Sequence, residues 1–241
     1  MHKLMGLFVV ALVAVTAPLA QANIVLRYTI DGGAGVASPC GGAGGAPTPG
    51  GVDCGAGNLG NAGVTITSLS AFSNSPGGFI GLETGSNTVI QNTSGVSHHI
   101  VIDIVANNYT SPVGPNITYL SHIGGTVAIG SLANTLTFKS CIDTGNTLTG
   151  CPGTASVTGT PNIKPIGSYS DDKTGTIAGS LGAPYAIAEQ IDIVIGAGSA
   201  INFSSSTTLA QTVPEPMSIT LLGGVLLLVS RSIRRKHNRV S

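Results

Sequence analysis

The histidines and their polar neighbours are the first residues of this chain that could carry chemistry. Ser97, His98 and His99 precede a run of alternating apolar residues that contains Asp103. Serine, histidine and aspartate are the components of a hydrolytic triad, and histidine is a common metal ligand. However, adjacent residues of a strand point to opposite faces, and the chain has no G-x-S-x-G motif here. We predict a strand end without a metal or catalytic site, and such a site remains the alternative.

Residues 55–60, Gly-Ala-Gly-Asn-Leu-Gly, match the G-x-G-x-x-G fingerprint of dinucleotide-binding folds. That fingerprint binds a pyrophosphate only where it links a strand to the N-terminus of a helix. Here a loop precedes the motif and a strand follows it. We therefore predict no nucleotide site and no cofactor.

Two acidic features could bind a cation or act as functional carboxylates. Residues 171–175, Asp-Asp-Lys-Thr-Gly, could supply oxygens to Ca²⁺, but they lack the EF-hand spacing. A hairpin turn with Gly175 at positive φ is the favoured interpretation. Glu189 lies on the isoleucine face of its predicted strand. We predict an edge strand there, because an inward charge guards an edge against pairing; a functional carboxylate is the alternative.

The four cysteines form two closely spaced pairs. Cys40 and Cys54 bracket a Gly/Pro-rich loop, and Cys141 and Cys151 bracket a polar loop. Of the three possible pairings we prefer the two nearest-neighbour disulfides, which suit an exported protein. Each would close a loop of about 10–15 residues and contribute about 3 kcal/mol. A zinc site is the alternative, but no C-x-x-C or histidine spacing supports it.

Short strands between turns must position these residues. Residues 24–30 are rich in β-formers, residues 32–63 read as a Gly-rich loop, and an alternation that starts at residue 64 changes phase at Ser68, as at a β-bulge. Apolar and polar residues alternate clearly at 100–105, 135–142 and 187–195. We find no helical period in residues 23–212. This region is predicted to be an all-β domain, an antiparallel β-sandwich of the jelly-roll or immunoglobulin-like kind.

The charge of residues 23–212 argues against a nucleic-acid partner. Four basic residues stand against nine acidic ones, a formal charge of −5. Nucleic-acid binding needs a basic surface. The many isoleucine, valine and leucine residues argue against disorder despite the low charge.

The N-terminus has the pattern of a secretory signal peptide. Lys3 precedes an apolar run at 4–15, and Ala20 and Ala22 fit the small-x-small cleavage rule. We predict that residues 1–22 engage the Sec machinery and are removed by signal peptidase. An uncleaved N-terminal anchor is the alternative.

The C-terminus combines an apolar segment with a basic tail. Residues 217–230 would form a helix of only about 21 Å, shorter than the roughly 30 Å of membrane hydrocarbon. By the positive-inside rule the tail stays in the cytoplasm. This predicts that residues 23–213 lie on the far side of the inner membrane. The tail residues are Arg231, Arg234, Arg235, Lys236 and Arg239.

Residues 213–241 resemble the PEP-CTERM sorting signal. The resemblance rests on Val213, Pro214, Glu215 and Pro216, on the Leu/Gly/Val-rich segment that follows and on the basic tail. It implies a Gram-negative bacterium that makes exopolysaccharide, and processing by the membrane peptidase exosortase. Arg231 comes early and the tail continues to Ser241, which departs from the family pattern. An ordinary single-pass anchor is the alternative.

These features predict a transiently anchored protein that is delivered to the cell envelope, the outer surface or the extracellular matrix. We expect a non-catalytic surface or exopolysaccharide-matrix protein. A carbohydrate- or ligand-binding β-sandwich is the alternative, although the chain has no tryptophan. Its tyrosines at 109, 119, 169 and 185 are expected on scattered loops. An enzyme is the third hypothesis.

Overall fold

The structure, a computed structural model, describes residues 24–33, 36–38, 52–54, 63–74, 80–87, 89–151 and 155–211. All regular elements in these residues are β-strands, as the alternating apolar pattern predicted. The strands are β1 (Ile24–Ile30), β2 (Val36–Ser38), β3 (Val52–Cys54), β4 (Val64–Thr67), β5 (Leu69–Ser73), β6 (Ile80–Ser86), β7 (Val89–Asn92), β8 (His98–Tyr109), β9 (Gly114–Pro115), β10 (Ile117–Ile129), β11 (Thr135–Asp143), β12 (Ala155–Gly159), β13 (Gly167–Thr176), β14 (Ser180–Leu181), β15 (Tyr185–Ile195) and β16 (Ala200–Gln211).

Two antiparallel sheets form a β-sandwich, and the predicted fold class is confirmed. The six-stranded sheet has the order β12-β11-β15-β8-β1-β2. The eight-stranded sheet runs β13-β10-β16-β6-β5-β3, and β4 and β7 extend it through β16. The short strands β9 and β14 pair separately. Within the predicted Gly-rich loop, β2 and β3 pair with β1 and β5.

Ser68 marks the predicted change of phase, but the cause is an exchange of partners. It lies between β4 and β5 with a φ of 51°. Strand β4 pairs with β7, whereas β5 pairs with β6. A non-glycine residue at positive φ is uncommon, and here it turns the chain from one partner to the next.

The predicted turn at residues 171–175 is wrong. These residues lie within β13, which pairs along its length with β10. Neither strand has a clear apolar alternation, because β13 is an outer strand with polar residues and β10 carries two central glycines. Pairing between strands far apart in sequence, rather than a local signal, determines their structure.

The Cys141–Cys151 disulfide is confirmed, with its Cα atoms 5.3 Å apart. Its loop covers the outside of the six-stranded sheet, where Leu148 packs on a small cluster with Val105. Asp143 organises the loop by accepting the N–H groups of Gly145 and Thr147 at 2.8 and 2.9 Å. Burial opposes its charge, but hydrogen bonds from Thr147 and Gly145 outweigh burial and lower its pKa.

Several predictions fall outside the described residues. Cys40 is not among the described residues, and only the backbone of Cys54 is described, so the Cys40–Cys54 disulfide stays a prediction. The proposed signal peptide at 1–22 and the sorting signal at 213–241 also lie outside. Within the described strands and turns, no helix is long and apolar enough to cross a membrane.

Candidate functional site

A layer of polar side chains crosses the core of the sandwich. On the six-stranded sheet, Ser140 of β11 is in register with Glu189 of β15. On the eight-stranded sheet, Ser121, Thr207, Glu83 and Ser73 share one row across β10, β16, β6 and β5. With the inward-facing Ser205 they form what we call the carboxyl layer, whose members are all at most 3% exposed.

The carboxyl layer separates the two main apolar clusters of the core. On β15, Ile187 belongs to one cluster and Ile191 to the other, with Glu189 between them. On β10, Tyr119 and Ile123 flank Ser121 in the same way. Because side chains alternate with a period of two, one polar residue at the matching position of each strand produces a continuous polar row.

Glu189 is held by hydroxyl donors from the opposite sheet. Ser205 Oγ and Thr207 Oγ1 donate to its two carboxyl oxygens at 2.5 and 2.8 Å. Gly85 makes room for this approach, since a Cβ there would overlap Ile104 Cδ1 and crowd Ser205 Oγ. Strand β15 is central and Glu189 is 1% exposed, so the predicted edge location is wrong.

Burial raises the pKa of Glu189 to about 7, although its two hydroxyl donors oppose the shift. The pKa of Glu83 is also raised well above its usual value, first by burial and second by the nearby Glu189. Neither carboxyl oxygen of Glu83 has a hydrogen-bond partner among the described residues, and the same holds for the hydroxyls of Ser121 and Tyr185. Two charged carboxylates here would be strongly unfavourable, so burial and the neighbouring Glu189 both favour the protonated, neutral form of Glu83.

Tyr109 links the carboxyl layer to the smaller of the two main apolar clusters, the one that contains Ile187. Its hydroxyl donates to the carbonyl oxygen of Leu82 at 2.6 Å and lies 2.6 Å from Ser73 Oγ. Its ring stacks on that of Tyr185, with centroids 5.4 Å apart. The pKa of Tyr109 is raised well above normal, first by burial and second by Glu83. The layer is closed to solvent, so Glu83 and Glu189 cannot act as the paired carboxylates of a glycosidase, which must reach their substrate.

A second polar group lies at the end of the sandwich where β7 turns into β8. Ser94 Oγ is 2.8 Å from His98 Nε2, and His98 Nδ1 is 2.6 Å from Asp31 Oδ2. Asp31 follows β1 with a φ of 53°, and its Oδ1 accepts the backbone N–H of His99 at 2.9 Å. We call these three residues the Ser94–His98–Asp31 relay. Sequence reasoning missed it because Asp31 is 67 residues from His98.

The other sequence candidates do not join the relay. Asp103 accepts a hydrogen bond from Gln190 at 2.8 Å on the outer face of the six-stranded sheet. His99 pairs with Asp192 at 2.8 Å, and His122 with Asp172 at 2.7 Å. Within the described ranges, no group of three or more His, Cys, Asp or Glu side chains could hold a metal ion.

The outer face of the eight-stranded sheet carries many hydroxyl groups. Its outward positions include Leu120, which is 47% exposed, and the His122–Asp172 pair. The tyrosines at 109, 119, 169 and 185 are buried in strands instead of lying on loops, which corrects the prediction. We call the outer face of the eight-stranded sheet the hydroxyl face. It comprises Thr84, Ser168, Ser170, Thr174, Ser204, Ser206 and Thr208 with Leu120, His122 and Asp172.

No protein-family model matches the chain, and no curated protein matches its sequence. Among solved structures, similarity is found to TmCBM61 in complex with β-1,4-galactotriose, at 10% identity and a TM-score of 0.29, over 57% of this chain and 85% of that one. A carbohydrate-binding module of the β-sandwich superfamily matches at 10% identity and a TM-score of 0.28, over 75% of this chain and 82% of that one. The arabinose-bound α-L-arabinofuranosidase MgGH51 matches at 13% identity and a TM-score of 0.25. The match covers 62% of this chain but 22% of the arabinofuranosidase chain. Scores at this level carry no argument about ligand or activity.

Proposed function

We propose that this chain is an exported β-sandwich protein of the cell surface or exopolysaccharide matrix. The observation that carries the proposal is the Cys141–Cys151 disulfide, which fastens a loop over the outside of the six-stranded sheet. Structural disulfides persist in oxidising compartments outside the cytosol. Such a role needs a stable, soluble domain, and the extensive two-sheet core suits it.

In this proposal residues 1–22 direct export and residues 213–241 are a removable sorting signal. The Val213–Pro216 motif is read by an exosortase-like membrane peptidase, as its resemblance to PEP-CTERM signals implies. The short apolar segment suits temporary anchoring, since about 14 helical residues reach only about 21 Å. The protein is thus a substrate of the sorting peptidase and then resides in the envelope or the matrix.

Intact-mass analysis of the protein from its host, with and without a functional sorting peptidase, tests this proposal. We expect a mass that lacks residues 1–22 and part of 213–241 in normal cells, and the C-terminal part retained without the peptidase. Replacing Pro214, Glu215 and Pro216 by alanine should have the same effect as loss of the peptidase. A mature protein that ends at Ser241 in normal cells contradicts the proposal.

A second candidate function, carbohydrate binding, is supported by the hydroxyl face. The outward hydroxyls and the imidazole of His122 can hydrogen-bond to sugar hydroxyls, and Leu120 offers an exposed apolar contact. We expect the mature protein to bind extracted polysaccharide and the Leu120→Ala variant to bind it less tightly. Leu132→Ala is the matched control, because Leu132 is 90% exposed in the turn between β10 and β11. Equal binding by both variants would exclude the hydroxyl face as the site.

A further inference from the structure

We propose that Ser94, His98 and Asp31 form an acyl-transfer site that hydrolyses small carboxylic esters, with Ser94 as the nucleophile. The proposal goes beyond the surface role and adds an activity that the sequence did not predict. The distances of 2.8 Å from Ser94 Oγ to His98 Nε2 and 2.6 Å from His98 Nδ1 to Asp31 Oδ2 match the order and spacing of a hydrolytic triad.

The turn that carries Ser94 is held in place from several sides. Asn92 is buried, and its Oδ1 accepts the backbone N–H of Ser94 at 2.9 Å. Asn92 Nδ2 donates to the carbonyl of Val96 at 2.7 Å and approaches that of Gly196 at 3.1 Å. Gly63 packs directly against the Ser94 side chain, where a Cβ would come within 3.0 Å of Ser94 Cβ. These contacts preorganise the hydroxyl relative to His98.

The hydrogen bonds of Asp31 determine where the His98 ring carries its proton. Asp31 is ionised, because the backbone N–H of His99 and the His98 ring lower its pKa. Its carboxylate therefore requires a proton on His98 Nδ1, which leaves the Nε2 lone pair as an acceptor in the neutral ring. Ser94 Oγ also lies 2.7 Å from Asn92 Oδ1 and 3.0 Å from the carbonyl of Val96. Both of these oxygens accept from the Ser94 hydroxyl, which has a single proton and also lies 2.8 Å from His98 Nε2. Rotation about the Cβ–Oγ bond turns that proton from Asn92 Oδ1 to His98 Nε2 in the reactive arrangement.

The nucleophile is open to solvent while the base is shielded. Ser94 is half-buried, and Thr93 and Gly95 on either side of it are exposed. Val96 is 62% exposed beside it and offers an apolar contact for a short acyl group. The backbone N–H of Val96 donates to Ser94 Oγ at an N–O distance of 3.3 Å, which helps to orient the hydroxyl.

The chemistry follows from these positions. Ser94 Oγ bonds to the ester carbonyl carbon as its proton moves to His98 Nε2. The carbonyl carbon–alkoxy oxygen bond then breaks, and the departing alkoxide takes the proton from His98. In the second half, the oxygen of a water molecule bonds to the acyl carbon as the water gives a proton to His98 Nε2. The bond from the acyl carbon to Ser94 Oγ then breaks, His98 returns the proton to Ser94 Oγ, and the carboxylic acid leaves. Asp31 touches no reacting atom and acts as a positioning residue for the imidazole.

A serine-directed fluorophosphonate and the ester p-nitrophenyl acetate test the proposal on the full chain. We expect a covalent adduct on the peptide that contains Ser94, and its loss in Ser94→Ala. Ser97→Ala is the matched control, because Ser97 is exposed three residues away and its hydroxyl is not among the hydrogen-bond partners of Ser94, His98 or Asp31. Ester hydrolysis should fall by about 10²-fold or more in Ser94→Ala and His98→Gln, the range for loss of a nucleophile or general base.

Asp31→Asn separates positioning from a purely structural role. It should keep the fold, checked by thermal unfolding, while lowering kcat and changing the pH profile of hydrolysis, and Asp31→Glu should restore part of the rate. Adduct formation on the unmodified protein does not depend on any variant folding. If the fluorophosphonate leaves Ser94 unmodified, or if Ser94→Ala hydrolyses the ester as fast as the native chain, the relay is structural and the proposal fails.

Discussion

Replacing Glu189 by glutamine should stabilise the protein near pH 8 and leave its stability almost unchanged near pH 4. Glutamine has nearly the shape of a protonated glutamic acid and can still accept a hydrogen bond from Ser205 or Thr207. It removes only the ability to ionise inside the core. The variant is therefore expected to avoid the loss of unfolding free energy that ionisation of Glu189 causes at high pH.

The magnitude follows from the raised pKa of Glu189, which is about 7 in the folded protein against an ordinary value of 4.5 in the unfolded chain. Between these two values the unfolded chain has lost its proton while the folded chain keeps it, so the free energy of unfolding falls as pH rises. The contribution is fully present below pH 4.5 and is lost as pH rises to about 7. At about 1.4 kcal/mol per pKa unit, the native protein loses about 3 kcal/mol through this residue.

Chemical unfolding at pH 4 and pH 8, followed by circular dichroism, measures the effect. The free energy of unfolding of Glu189→Gln should exceed that of the native protein by about 3 kcal/mol at pH 8 and by less than about 1 kcal/mol at pH 4. Glu83→Gln should act in the same direction, because burial raises the pKa of Glu83 as well. Asp103→Asn is the control, since the Asp103 side chain lies on the outer face of the six-stranded sheet and is partly exposed. A Glu189→Gln variant that is less stable than the native protein at pH 8 would refute the reasoning.

Three further changes test the fold around these sites by the same unfolding assay. Replacing Cys141 and Cys151 together by serine should cost about 3 kcal/mol, and an unchanged midpoint would show that the loop needs no covalent link. Gly85→Ala should cost about 1–3 kcal/mol through overlap in the core, whereas Gly182→Ala, in open space, should be nearly neutral. Asp143→Asn should cost about 1 kcal/mol at pH 7. Because the pKa of Asp143 is lowered, that difference should vanish in acid, below its folded pKa; a constant difference would contradict the assignment.

The strands that sequence predicted are those with one apolar and one polar face. In β8, β11 and β15 the alternation survives because each strand has one face on the core. Strands β10 and β13 escaped prediction, because their identity depends on register with each other across about 50 residues of chain, such as His122 with Asp172.

The sites show the same division. Periodicity alone placed Glu189 on an apolar face, but its buried central location and its hydroxyl donors on β16 depend on strand order and on the packing of the two sheets. The sequence indicated Ser97 and Asp103 as possible partners of His98, whereas its partners in the structure are Ser94 and Asp31. Asp31 reaches His98 because β1 pairs with β8 in antiparallel register, Ile30 with Ile100.

By itself, the amino-acid sequence determined the all-β character of the chain, the inward residues of the most regular strands and the Cys141–Cys151 pair. These features depend on interactions between near neighbours, which a local pattern records. Only the tertiary structure decided which strands are central, that polar residues from six strands meet in one buried layer, and that Ser94, His98 and Asp31 converge at one end. Such arrangements arise from sheet register and from the packing of two sheets, and these bring together residues that no local spacing connects.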